Sequence, residues 1–135
     1  MVTKLTPGVR WISDVAIHPQ GDHLILGSYD RKVCWMDLEL GTAPYKTLRY
    51  HDMAIRQVKF HPTYPLFATA ADEGDVHIFH GRVYQDLMTH PLIVPVKILR
   101  AHEKIDDLGV LACEFHPKQP WIVTAGADHE MHLFV

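Results

Sequence analysis

The dipeptide His-Pro occurs three times, at His18-Pro19, His61-Pro62 and His116-Pro117, each time just after a run in which apolar residues alternate with others. Repetition at a spacing of this size constrains the chain more than any other feature, because each copy must be one small unit that buries its apolar face against its neighbours. One residue before each His stand Ile17, Phe60 and Phe115, and three before stand Val15, Val58 and Cys113, with Ala16, Lys59 and Glu114 between. That period of two predicts a strand with one buried face. Twelve past each His comes an acid, Asp30, Glu73 or Asp128, preceded by the apolar stretches 24–26, 67–69 and 122–124. A second strand therefore runs into a tight turn that carries an acid. Three past the acid lie Val33, Val76 and Met131, five past lie Trp35, Ile78 and Leu133, and six past lie Met36, Phe79 and Phe134, a third strand in common register.

Between copies, 45–49 and 96–100 are short β-prone segments, each followed within two residues by a His, His51 or His102, and they are predicted as fourth strands. Four short antiparallel strands per unit, repeated, describe the blade of a β-propeller. The expected fold is all-β: about three four-stranded blades, part of a larger propeller, with units at about 9–49, 50–100 and 101–135. The interval from His61 to His116 exceeds that from His18 to His61, and the excess falls at 81–95, where Pro91 and Pro95 argue against a regular strand. This segment is expected to be a loop insertion on the rim opposite the basic residues, with a short helix near Tyr84 to Met88. Leu87, Leu92 and Ile93 are expected to pack it against its own blade.

Lys and Arg total 13 against 16 Asp and Glu, a formal net charge of −3, which gives no reason for non-specific attraction to nucleic acid or anionic membrane. The two cysteines, Cys34 and Cys113, sit far apart inside apolar runs and are expected to be buried thiols of a reducing compartment. No apolar run is long enough to span a bilayer as a helix, so an intracellular protein without membrane contact is expected. Eleven His residues raise the question of metal, but His18, His61 and His116 mark equivalent turns and not one ion site. His129 and His132 lack the spacing of a zinc-binding helix. No phosphate loop or nucleophile elbow is visible, and Asp106-Asp107 is expected to be a solvated loop pair. No catalytic residue, metal or cofactor is assigned, and the chain is not expected to be an enzyme.

The candidate contact residues are Arg31, Lys32, Arg56 and Lys104, on turns or strand ends that a propeller gathers on one rim, together with His51 and His102. Ordinary surface charge is the competing reading. Trp35 is placed in the core, whereas Trp11 and Trp121 lie at strand edges, where either core packing or partner anchoring fits.

The repeat resembles the WD-repeat pattern: Tyr50-His51 and Ala101-His102 stand for its Gly-His, and Met36-Asp37, Phe79-His80 and Phe134-Val135 stand for its Trp-Asp. In that family a His, a turn Asp, a Ser or Thr and the Trp form a hydrogen-bonded tetrad. The resemblance implies that His51 with Glu73 and His102 with Asp128 keep part of it, with Thr69 and Thr124 as hydroxyl members. Longer stretches, PGVRWIS (7–13), HPQGDHLILGSYDRKVCWMDL (18–38), PYKTLRYH (44–51), HPTYPLFATA (61–70), HGRVYQDLMTHPLIVPVKILRAH (80–102), DDLGVL (106–111) and FHPKQPW (115–121) with AGAD (125–128), resemble the Block of Proliferation ribosome-biogenesis factors, called Erb in yeasts. The departures are Ala101 for a Gly and His129-Glu130-Met131 for a Gly-Thr-Ile-like turn.

This resemblance implies a nuclear, nucleolar scaffold, with nucleoplasm as a further location, that acts in large-subunit assembly and ribosomal RNA processing. Its implied partners are a Pescadillo-type protein, bound through upstream regions, a second WD-repeat protein and pre-60S particles. Direct binding of ribosomal RNA through the basic rim is the alternative. Counting strands adds one expectation: Val2 to Leu5 reads as the outer strand of a preceding blade and the third unit lacks its fourth strand. The isolated fragment is therefore expected to self-associate.

Overall fold

The computed structural model describes residues 2–84 and 90–135. It contains eleven strands: β1 (Ile12–Ile17), β2 (His23–Ser28), β3 (Val33–Asp37), β4 (Lys46–Leu48), β5 (Ile55–Phe60), β6 (Leu66–Ala71), β7 (Asp75–Arg82), β8 (Leu92–Arg100), β9 (Val110–Phe115), β10 (Ile122–Gly126) and β11 (Met131–Phe134). They form three antiparallel sheets, β1-β2-β3-β4, β5-β6-β7-β8 and β11-β10-β9, as a partial WD propeller requires.

Alternation along each strand dictates the packing. Val33 and Trp35 point from the first sheet towards the second, where they meet Val58, Phe67 and Phe79 in one buried layer. Both faces of β6 are covered: Phe67 and Ala71 join that layer, while Ala68 and Ala70 face Val110, Cys113 and Phe115 of the third sheet. Val15 and Ile17 occupy the same register as buried Val58 and Cys113 and the half-buried or buried Phe60 and Phe115, yet they are more than half exposed. In the second and third units that strand face packs against the preceding sheet, and among the described residues no sheet precedes β1.

Two repeat-equivalent links that periodicity did not suggest tie the sheets together. The Asp14 carboxylate accepts the Val58 backbone N–H at 3.1 Å, and the Gln57 side-chain oxygen accepts that of Cys113 at 2.9 Å. Each acceptor stands four residues before the His-Pro His of its unit and each donor three. The His itself has a double role. His61 Nδ1 accepts the N–H of Thr63 and Tyr64, His116 Nδ1 accepts those of Lys118 and Gln119, and His18 Nδ1 accepts that of Gln20. Nε2 is left as the protonated nitrogen, and in His61 it donates to the Gln119 carbonyl at 2.7 Å. Edge-on contacts of 5.1 Å join His18 to Phe60 and His61 to Phe115, so the motif both closes its own turn and packs on the next unit.

Two expectations are corrected. Much of the 81–95 segment is strand: β7 runs to Arg82 and β8 begins at Leu92, with Gly81 opposite Ile93 and Arg82 opposite Leu92. Pro95 is accommodated opposite Phe79 where the register shifts between Ile78 and Phe79, on an outer strand that tolerates a missing N–H. The segment reaches the neighbouring sheet as well as its own, because Ile93 packs in the layer around Trp35 and the Tyr45 hydroxyl donates to the Pro91 carbonyl at 3.2 Å. Leu92 is exposed. Leu87 and most of the expected helix near Tyr84 to Met88 lie outside the described residues. The second correction concerns Val2 to Leu5, which belongs to no strand. Leu5 and Val9 instead cover Leu26, Cys34 and Met36 on the open face of the first sheet.

Candidate interaction face

Antiparallel order places the β2–β3, β6–β7 and β10–β11 turns, with the segments entering β5 and β9, at one end of the sheets. Each of those turns has a left-handed residue directly after its acid: Arg31 at φ 71°, Gly74 at 93° and His129 at 67°. The turn containing His129-Glu130-Met131 thus keeps the geometry of the others. A Cβ on Gly74 would fall 2.1 Å from the His102 carbonyl oxygen, so glycine is required there by contact as well as by φ.

His51 and His102, expected on the surface, have side chains only 1% and 0% exposed. His51 Nδ1 meets Glu73 at 2.5 Å and its Nε2 meets the Thr69 hydroxyl at 2.6 Å. His102 repeats this with Asp128 at 2.9 Å and Thr124 at 2.7 Å. These side chains are interior connectors and offer nothing to a partner. Burial opposes the charged form of Glu73, but the hydrogen bond and charge of His51 together with backbone N–H donors outweigh it and hold the carboxyl below its usual range. Asp128 is depressed in the same way by His102.

Four residues past Glu73 and Asp128 a second His packs on the first. His77 lies 4.1 Å from His51 between ring centroids, and His132 lies 4.8 Å from His102. Burial first, and then the neighbouring His51, lower His77 to about 4, so it is neutral at pH 7. Extending the count past the acid from three, five and six to four would have found both residues. Ligating atoms of His51, Glu73 and His77 lie within 4.8 Å of one another. Both His51 nitrogens are already engaged, however, and the 2.5 Å contact is shorter than the separation of two ligands on one zinc ion.

The cations at this end are mostly compensated. Lys32 pairs with Asp30 at 3.7 Å and Lys104 with Asp107 at 3.8 Å, while Arg31 makes no ion pair among the described residues. Arg56 forks onto Asp72 with three contacts of 2.9–3.0 Å and lies over the Tyr29 ring at 5.0 Å. Tyr29 in turn meets Trp11 edge-on at 6.1 Å. Trp11 is 77% exposed and Tyr29 40% exposed, so the first two sheets present a row of Trp, Tyr and a neutralised Arg to solvent. Sequence reasoning named Trp11 and Arg56 but missed Tyr29 and Asp72, which occupy the same position before the acid in successive units. Trp35 is fully buried, and Trp121 packs on His116 at 5.2 Å.

Little here suits covalent chemistry. Asp106 and Asp107, at φ 52° and 64°, are the two central residues of a tight turn closed by Ile105 and Leu108. Burial pushes the Cys113 thiol up to about 12 and raises Cys34 as well, so neither is a ready thiolate.

The family model described as WD domain, G-beta repeat, matches residues 3–37, 42–80 and 93–134. Among curated proteins, the chain is 59% identical over 128 residues to ribosome biogenesis protein ERB1 of Coprinopsis cinerea, covering 95% of this chain and 17% of that protein. It is 57% identical over 134 residues to the BOP1 homolog of Dictyostelium discoideum, covering 99% and 16%, and 53% identical over 134 residues to ribosome biogenesis protein BOP1 of Rattus norvegicus, covering 99% and 18%. The chain spans less than a fifth of the length of these relatives. It belongs to the WD domain, G-beta repeat family, and its likeness within that family is to ribosome biogenesis proteins named ERB1 and BOP1.

Proposed function

We propose that this chain is a non-catalytic interaction scaffold in ribosome biogenesis, part of a nucleolar assembly needed to build the large subunit and process its RNA. Its partners are proteins of the pre-60S particle, among them a second WD-repeat protein, with a Pescadillo-type protein held through regions upstream. The observation that carries the reading is the exposed row of Trp11, Tyr29 and Arg56, with the Arg56 charge met by Asp72. Trp, Tyr and Arg are the residue types that dominate protein interfaces, and an arginine already paired offers a flat stacking surface more than a free charge.

Direct binding of ribosomal RNA fits less well, because Lys32, Arg56 and Lys104 each have an acidic partner and phosphate binding would have to displace it. Arg31, Lys32 and Lys104 are assigned to the rim of the protein contact, where charges guide association. Co-purification from a native extract tests the proposal. The intact chain should bring down pre-60S proteins, and the double substitution Trp11→Ala with Tyr29→Ala should lose them while the protein stays folded. Retention of the same proteins by the double variant overturns the proposal.

A further inference from the structure

The outer strand of the second sheet differs in kind from that of the first. β4 is three residues long, whereas β8 has nine and, among the described residues, no neighbour on its outer side. Its position on the perimeter does not depend on which other blades surround it. Four of its apolar residues, Leu92, Val94, Val96 and Ile98, are between 41% and 57% exposed. Long exposed apolar edges are templates for a further strand and are normally blunted. Here Pro95 and the register shift interrupt the strand, leaving Val96 to Arg100 as the regular part.

Beside that part lies a groove of about 310 Å³ on the second sheet, lined by His77 and Ile78 of β7, Val96 and Ile98 of β8 and Tyr50 of the segment that joins β4 to β5. Tyr50 is half exposed. His77 is neutral at pH 7, so among the described residues Lys97 is the only charged group in the lining and no carboxylate contributes to it. Arg100, next along the strand beyond Leu99, is 79% exposed and holds Asp75 only at 3.4 Å. The edge thus combines unpaired backbone, an apolar slot and two cations.

We propose that Val96 to Arg100 is a strand-addition site for an extended, acidic and apolar peptide segment of a partner protein. The peptide pairs its backbone with β8 and places one apolar side chain opposite Ile98, in the slot against Tyr50. A carboxylate stands opposite Lys97, and Arg100, on the same face as Ile98, adds positive charge at the end of the edge. Cross-strand partners share a face, which puts the acid opposite Lys97 on the other side of the added strand from the apolar anchor. A second copy of this chain is a poorer occupant, because two such edges would bring Lys97 and Arg100 of both copies together. This site lies on the perimeter, apart from the Trp11 and Tyr29 row, and does not depend on the function proposed for that row.

The probes are capped eight-residue peptides of alternating valine and glutamate, of alternating valine and lysine, and the glutamate peptide N-methylated on alternate residues, each titrated into the full chain. The glutamate peptide should bind and slow amide exchange at 96–100, and the other two should not. Lys97→Glu should weaken the glutamate peptide about fivefold to tenfold and let the lysine peptide bind, an exchange of preference that loss of folding cannot produce. Exchange measured without peptide checks that the variant keeps its sheets. Equal binding of the glutamate and lysine peptides, undiminished binding of the N-methylated peptide, absence of any binding, or a dimer protected at 96–100 without peptide each overturns the proposal.

Discussion

The first unit and the second hold the same turn in different ways. In the second, the acid Glu73 is reached from inside the sheet by His51, which also engages Thr69 and has His77 stacked beside it. In the first, the residues at the corresponding places are Gly8 for the His, Leu26 for the Thr and Cys34 for the second His. Leu26, Cys34 and Met36 form an apolar plug under Leu5 and Val9, and Asp30 is bound by the Ser28 hydroxyl and the Arg10 backbone N–H. The turn therefore needs an anchored acid, while the interior beneath it accepts either a polar network or an apolar filling. Both turns carry an acid held below its usual range, and the polar network adds buried histidine to it.

The largest effect is expected where the two units meet. Trp35→Ala removes a fully buried ring between the first and second sheets and the hydrogen bond its indole N–H donates to His23 Nδ1 at 3.0 Å. It should cost about 3–5 kcal/mol in chemical denaturation. The contrast between units comes next. His51→Ala leaves the Thr69 hydroxyl and Glu73 without their partner and should cost about 2–4 kcal/mol, whereas Met36→Leu in the plug should cost under about 1.5 kcal/mol. Equal losses in these two variants would erase the distinction between network and plug.

Acid sharpens the same contrast. His77 titrates near 4 in the folded chain and near 6.5 when unfolded, so below 6.5 the unfolded state binds a proton that the folded state refuses. Stability is fully present above 6.5 and falls as pH drops towards 4, by up to about 3 kcal/mol from this one group. Urea midpoints of His77→Gln should lose most of that slope, while Met36→Leu should keep it. The smallest effect lies in the third turn. His129→Gly relieves a left-handed non-glycine residue and should stabilise by up to about 1 kcal/mol in thermal unfolding, whereas Gly74→Ala, at the same place in the second unit, should destabilise strongly.

Much of the fold was legible because strand periodicity and the His-Pro register are local signals. The acid turns and Trp35 followed from counting, and the partial tetrads of His51 and His102 from the resemblance to the WD-repeat pattern. The 81–95 segment was misread because Pro91 and Pro95 weaken a strand locally, and only pairing with β7 shows that an outer strand with a register shift absorbs Pro95. The exposed row was half legible. Trp11 and Arg56 stood out singly, but Tyr29 joins them across two sheets, and that juxtaposition has no signature within one repeat. Assigning His51 and His102 to the surface failed because residues entering a strand can turn inward as readily as outward.

The most direct test of the scaffold is the salt and nuclease resistance of what the chain captures from a native extract. Pre-60S proteins held by the Trp11 and Tyr29 row should remain bound after ribonuclease treatment and lose little between about 50 and 200 mM salt. Release of those proteins by ribonuclease, or a steep loss across that salt range, would contradict the account and favour RNA contact through Arg31, Lys32, Arg56 and Lys104.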